Sequence, residues 1–259
     1  MDLRPQWQKN IFLVLAFTLI FSPIPSVPSF AQVKTPDWSY GGAENPTRWG
    51  ELDNNFALCE SGKDQSPINI VDAVQGNPAQ IVFNYKPTPL EIVNNGRTVQ
   101  VNYAPGSSVT INGKQYALLQ FHFHTPSEHT IEGNASAMEL HLVHRNTAGE
   151  LSVVGVMMNK GTANPVIDKI WQHIPSTQKT NTVSGQTINA ADLLPKSKAY
   201  FSYSGSLTTP PCSESVKWNV LTEPITVSSE EIDTFEKLYQ VNARPVQPTN
   251  DRKIELHGN

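Results

Sequence analysis

The segment Gln120-Phe121-His122-Phe123-His124, followed downstream by Glu139-Leu140-His141, carries the strongest chemical signal in the chain. A strand sends alternate side chains to one face. Gln120, His122 and His124 therefore share a face if the first run is a strand, and so do Glu139, His141 and Val143 if the second is. Pro126, Gly133 and Asn134 lie between them and supply turn chemistry that can bring the two runs together. Three converging imidazoles with a fourth tetrahedral position left open form the ligand set of a catalytic Zn2+ site, since a structural zinc closes its fourth position. Gln120 and Glu139 each precede a histidine by two residues, in phase with it. Metal-bound imidazoles donate their other ring N–H to a carboxylate or carbonyl, and here such an acceptor is offered twice. Any one of these histidines alone reads as an ordinary strand residue. The in-phase set reads as a metal site, one that cobalt would also fit.

Such ligands need strands to carry them, and the sequence supplies the pattern. Alternating or apolar runs at 80–85, 90–93, 98–103, 108–111, 117–124, 137–144 and 151–158 are separated by turns such as Asn94-Asn95-Gly96 and Asn112-Gly113. Many short strands with regular turn signals predict a mainly β domain. Helical patterning comes late, at 166–174 and 229–241. The second stretch opens with a Ser228-x-x-Glu231 capping box and puts Ile232, Phe235, Leu238 and Tyr239 on one face. Residues 32–64 are loop-rich, with Trp38, Tyr40, Trp49 and Phe56 available to pin them to a core. There is no internal repeat, and Asn134-Ala135-Ser136 is a glycosylation sequon.

With 19 Lys and Arg against 23 Asp and Glu, the 259-residue chain has a net charge of −4. Modest acidity without a basic run argues against a nucleic-acid partner. Arg4 and Lys9 precede an apolar run at 11–21, and Ser29-Phe30-Ala31 resembles a small-residue cleavage site, so residues 1–31 read as a secretory signal peptide. The alternative is an uncleaved anchor, but the run is too short for a comfortable span and prolines 23, 25 and 28 follow it. The expected mature product is one domain over 32–259, exported to the periplasm or the extracellular space, with no stable membrane span after signal cleavage. Nothing in the sequence specifies an oligomeric state. Cys59 and Cys212 are the two cysteines. In an oxidising compartment they read as a disulfide, worth up to roughly 5 kcal/mol for a loop of about 150 residues; two free buried thiols are the alternative.

At this point the residues resemble the α-class carbonic anhydrases of the secreted bacterial type. The motifs occur in order: Gln65-Ser66-Pro67-Ile68-Asn69-Ile70, Asn94-Asn95-Gly96, the 120–124 histidine run, Ser127-Glu128-His129, Glu139 to His144, Gly205-Ser206-Leu207-Thr208-Thr209-Pro210-Pro211 and Asn242-Ala243-Arg244-Pro245. The short spans from His124 to Glu128 and from His144 to Leu151 are similar to the compact bacterial members. The resemblance implies a large, twisted, mostly antiparallel central sheet with a few short peripheral helices and a conical cleft. It implies His122, His124 and His141 as zinc ligands, with Gln120 and Glu139 accepting from them. Thr208, oriented by Glu128, would accept a hydrogen bond from zinc-bound hydroxide, with Thr209 beside it. Val143, Val153, Leu207, Val216 and Trp218 would form the apolar wall for carbon dioxide. Asn95 and Gln100, with Tyr40 opposite, would be polar cleft residues, and Cys59 and Cys212 stand where secreted members carry their disulfide. His129, His144, His173, His257 and Arg244 are assigned to structure or surface.

The activity so implied is reversible zinc-dependent hydration of carbon dioxide to bicarbonate and a proton. One position departs from the family. The residue after Asn-Asn-Gly, a proton-relaying histidine in the fast members, is here Arg97. Arginine stays protonated and cannot shuttle, so buffer becomes the expected proton acceptor. Two other readings compete: a catalytically weak or silent carbonic anhydrase-like binding module, and a zinc esterase for a larger substrate.

Overall fold

The computed structural model describes residues 37–77 and 80–258. The signal peptide expected over 1–31 and its cleavage point lie outside the described residues. In chain order the strands are β1 Asn69–Ile70, β2 Val74–Gln75, β3 Ile81–Asn84, β4 Thr88–Asn94, β5 Val99–Asn102, β6 Ser108–Ile111, β7 Lys114–His124, β8 Thr130–Ile131 and β9 Asn134–Ala135. They continue as β10 Met138–Arg145, β11 Leu151–Lys160, β12 Lys179–Ile188, β13 Tyr200–Ser206, β14 Glu214–Leu221, β15 Ile225–Val227 and β16 Glu255–His257. The helices are short: α1 Trp49–Leu52, α2 Leu58–Ser61, α3 Pro165–Trp171 and α4 Ser229–Glu236.

Among the described residues, thirteen strands make one mixed, mostly antiparallel sheet, and β1, β8 and β9 make a small one. Its middle runs β4-β5-β7-β10-β11-β14-β13. The period-two pattern decides which face is which. Phe121, Phe123, Leu140, Leu142, Val154 and Val156 point into the principal core, where Ile167, Ile170 and Trp171 of α3 and Phe235 of α4 cover them. The alternate residues face the other way, where Val153, Val216, Trp218, Ile68 and Ile70 form a second apolar cluster.

Both late helices form, the second with the expected cap. Asn164 accepts from the N–H groups of Val166 and Ile167, with Pro165 at the first turn. Ser228 and Glu231 make the reciprocal capping box of α4. That helix stops at Glu236, however, and does not reach residue 241. Ile232 and Phe235 are buried as the pattern requires, but Leu238 is exposed. The chain leaves the helix because tertiary hydrogen bonds outweigh propensity: Tyr239 Oη donates to Asn94 Oδ1 at 2.5 Å, and Asn242 is tied to the end of β7.

The expected strands all appear, with ends shifted by a few residues. β12, β13 and β14 lie where the sequence pattern marked no strand. Cys59 and Cys212 are joined in a disulfide across a separation of 153 residues. The loop-rich stretch up to residue 64 is pinned by an edge-to-face cluster of Trp38, Tyr40 and Trp49.

His144 lies wholly inside the principal core, stacked on Tyr85, whose hydroxyl lies 2.7 Å from Nε2. Burial lowers its pKa to about 3, against weaker opposing effects of the Ser152 and Leu142 carbonyls. The unfolded chain takes up this proton near 6.5, so the stability is fully present above 6.5 and declines as pH falls from there towards 3. The slope from this one group is about 1.4 kcal/mol per pH unit. Urea unfolding at pH 7 and pH 5 should therefore show a steeper loss in the wild type than in His144→Phe; equal losses would refute the assignment.

Candidate active site

β7 and β10 pair antiparallel with His141 opposite His122, Glu139 opposite His124 and Val143 opposite Gln120. All three histidines thus stand on the cleft face of two adjacent strands. Each ring has one nitrogen held. His122 Nδ1 bonds Gln120 Oε1 at 2.8 Å, His124 Nδ1 bonds the Asn242 carbonyl at 2.7 Å, and His141 Nε2 bonds Glu139 Oε1 at 2.8 Å. Because those partners only accept, the held nitrogens carry the protons and the remaining ones are bare lone pairs. The three residues offer ligand atoms that lie within 4.8 Å of one another. His124 Nε2 is buried with no hydrogen-bond partner among the described residues. Burial holds His124 down to about 4 and lowers His122 and His141 as well. Neutral imidazoles with convergent lone pairs are what a divalent transition metal requires.

Glu139 is the anion that supports this set. Its Oε1 accepts from His141 and from His129 Nδ1, and its Oε2 accepts the N–H groups of Glu128 and His129, all at 2.8 Å. Burial alone would raise its pKa, but the surrounding donors hold it well below the usual carboxylate range. His129 Nε2 lies 2.6 Å from Tyr203 Oη, which lies 2.8 Å from Ser66 Oγ. His129, Glu139 and His141 also lie close enough to suggest a second metal group. Their facing atoms are already spent on one another, so they form a hydrogen-bonded chain behind the ligand. Gly155 stands opposite His141 on β11 and makes room for the Glu139 carboxylate: a Cβ there would sit 3.0 Å from Glu139 Oε1.

Glu128 is buried beside the histidines. Its Oε1 accepts the Arg244 N–H at 2.9 Å. Its Oε2 has no hydrogen-bond partner among the described residues and lies 3.6 Å from His124 Nε2 and 3.8 Å from His141 Nδ1. Burial raises this carboxyl to about 7, against lowering by His141, the Arg244 N–H and the Thr208 hydroxyl. Thr208 does not reach Oε2 with ordinary hydrogen-bond geometry.

The apolar residues fall in a row. Val143 pairs with Val153, and Val153 with Trp218, across β10, β11 and β14 on the cleft face. Val216 and the half-buried Leu207 pack with them. Gln100 is in register with His122 on β5, its amide donating to Asn102. Tyr40, Asn95 and Arg97 line a cavity of about 410 Å³, together with Trp38, Tyr239 and Asn242. Asn95 Oδ1 is engaged in its own turn, accepting from Arg97 and Thr98 N–H. Burial and then Glu128 push the Tyr40 hydroxyl well above its ordinary value. Arg97 is tethered: Nε donates to the Trp38 carbonyl, Nη2 to Asp37, and the guanidinium lies 4.2 Å from the Trp38 ring centroid.

Sequence reasoning gave no role to Gly155, Tyr203 or Asn242, and set His129 aside. Only the x-Glu-x-His alternation hinted that Glu139 had further partners; the Tyr203 and Asn242 contacts reach across more than seventy residues, and Gly155 acts by lacking a side chain.

A mostly antiparallel sheet presenting three bare imidazole nitrogens beside an apolar row defines a three-histidine site capable of holding a metal ion. Residues 44–258 match the eukaryotic-type carbonic anhydrase family, and the chain belongs to that family. It is 42% identical to a carbonic anhydrase of Nostoc sp., over 96% of this chain and 97% of the relative, and 41% identical to that of Neisseria gonorrhoeae, over 84% and 86%. Among solved structures it is similar to a hyperthermostable carbonic anhydrase from a hydrothermal vent chimney. That likeness has a TM-score of 0.83 and 46% identity, over 85% of this chain and all of the other.

Replacing Glu139 by Gln keeps its shape but removes the charge that fixes the His141 tautomer. Metal affinity, read by competition with a chelator, should fall roughly 10–100-fold; an unchanged affinity would show that Glu139 does not support the ligand.

Proposed function

We propose that this protein is a zinc carbonic anhydrase that interconverts carbon dioxide and bicarbonate. The observation that carries the reading is the convergence of His122 Nε2, His124 Nε2 and His141 Nδ1, each bare, next to the Val143–Val153–Trp218 row. Zinc held by those atoms would supply a Lewis acid whose charge no ligand neutralises, bringing water to a pKa of about 7, the value established for carbonic anhydrase itself. The chain's own residues do the rest. With Glu128 ionised, its carboxylate can only accept, so the Thr208 hydroxyl would donate a hydrogen bond to it. The Thr208 oxygen would then be left able only to accept, and would orient a hydroxyl held in the open site, with Thr209 beside it. Val143, Val153, Leu207, Val216 and Trp218 exclude water and hold a small nonpolar substrate by position more than by affinity.

At the position where fast relatives carry a relaying histidine stands Arg97, whose guanidinium cannot take up a proton and is tied to Asp37 and Trp38. Recombination at roughly 10¹⁰ M⁻¹s⁻¹ caps unassisted release from a group of pKa about 7 near 10³ s⁻¹. Carbonic anhydrase itself reaches about 10⁶ s⁻¹. Small buffers entering the cleft lift that cap. The disulfide fits an oxidising compartment, and with the signal sequence it supports export to the periplasm or the extracellular space.

Stopped-flow carbon dioxide hydration by the zinc-loaded protein should climb with imidazole concentration and vanish in His122→Ala. A rate indifferent to imidazole would remove the relay deficit at Arg97; a background rate with zinc bound would sink the enzymatic reading.

A further inference from the structure

Arg244 is a buried cation whose contacts gather distant parts of the chain. Nη1 donates to Gln65 Oε1 at 2.8 Å and to the Ser66 carbonyl at 2.7 Å, and Nη2 donates to the Cys59 carbonyl at 2.7 Å. Gln65 passes the connection on: its Nε2 donates to the Cys212 carbonyl at 3.0 Å. Cys212 is bonded to Cys59, and its N–H closes a turn on Thr209 O at 2.9 Å. The turn that carries Thr208 and Thr209 is thereby fixed to the guanidinium by two routes, one covalent and one through Gln65. On its other side, the Arg244 N–H holds Glu128 Oε1. Both halves of the Thr208–Glu128 pair therefore hang from this one residue.

Energetics argue that the cation is not there for stability alone. Its acceptors are neutral oxygens, no carboxylate touches the guanidinium, and Nε has no hydrogen-bond partner among the described residues. Burying such a charge costs several kcal/mol, and a well-packed apolar side chain commonly stabilises as well or better. What an apolar residue cannot do is fix three carbonyl-type oxygens in one plane, which the rigid guanidinium fork does.

We infer that Arg244 is a positioning residue for the carbon dioxide hydration proposed above, setting the separation of Glu128 and the Thr208 turn. The inference rests on that functional reading. It has a kinetic signature. kcat/KM contains only the steps up to the release of bicarbonate, whereas kcat at low buffer is limited by the later departure of the proton. A displaced Thr208–Glu128 pair slows the first and leaves the second almost untouched. A partly unfolded preparation lowers both by the same factor.

Two variants test this. Gln65→Met keeps the volume but breaks the Gln65 link, and Arg244→Ala removes the guanidinium. In zinc-loaded Gln65→Met, kcat/KM should fall about tenfold, a loss in keeping with misplacement by a fraction of an ångström, while kcat at low buffer stays within twofold of the wild type. Amide exchange should quicken in 207–213 and 127–129 but not in β7 or β10. Added guanidinium ion should restore part of the loss in Arg244→Ala; if that variant does not fold, Gln65→Met decides alone. A wild-type kcat/KM in zinc-loaded Gln65→Met, or equal losses in kcat and kcat/KM, would overturn the role of Arg244. An inactive wild type would instead overturn the functional reading beneath it.

Discussion

A slip of one residue between β7 and β10 would turn His122, His124 and Gln120 into the core and leave Phe121 and Phe123 facing the cleft. Burial forbids it. Phe121, Phe123, Leu140 and Leu142 are fully buried under α3 and α4, and each is worth roughly 1.5–3 kcal/mol of apolar burial that the slipped register would forfeit. Metal-ligand geometry is therefore a by-product of core packing on the opposite face of the same strands. The bulge opposite the step from Val143 to His144 keeps this phase only as far as the site needs it.

Burial then has a second effect, on charge. The three imidazoles are kept neutral by desolvation, and the negative charge that supports them lies on Glu139 behind them. A neutral ligand set leaves a divalent ion with its full charge available for chemistry. The chain behind Glu139, running through His129 and Tyr203 to Ser66, contains few groups able to rotate away, because each is enclosed by the apolar cluster around Trp218.

How much of this could be read in the sequence depended on whether the signal was local. The period-two runs around His122 and His141 revealed both strands, their faces and the ligand set, since side-chain alternation is a property of the strand itself. The capping box at Ser228 marked the start of α4, yet its end was misplaced, because the Tyr239 and Asn242 bonds that stop it reach back more than a hundred residues. β12 faces solvent along most of its length, and its Lys-Thr-Asn-Thr opening has no apolar alternation to detect. β13 and β14 place serine, glycine and asparagine at buried positions, with Ser206 and Asn219 satisfied by tertiary hydrogen bonds. The disulfide pairing followed from compartment and count. The roles of Asn242 and Gly155 did not, since one acts through its carbonyl and the other through the absence of a side chain.

The tether at Arg97 has a consequence for how this sequence can change. At the same position a histidine would offer a titratable ring, but it is too short and too weakly charged at neutral pH to span to Asp37, the Trp38 carbonyl and the Trp38 ring together. Exchange for histidine would leave a looser rim in place of an anchored one even as it added a titratable ring. The two demands on this position pull apart: one side chain cannot both clamp the 37–41 segment and carry a mobile proton, and here the clamp is what the aromatic cluster of Trp38, Tyr40 and Trp49 is built against.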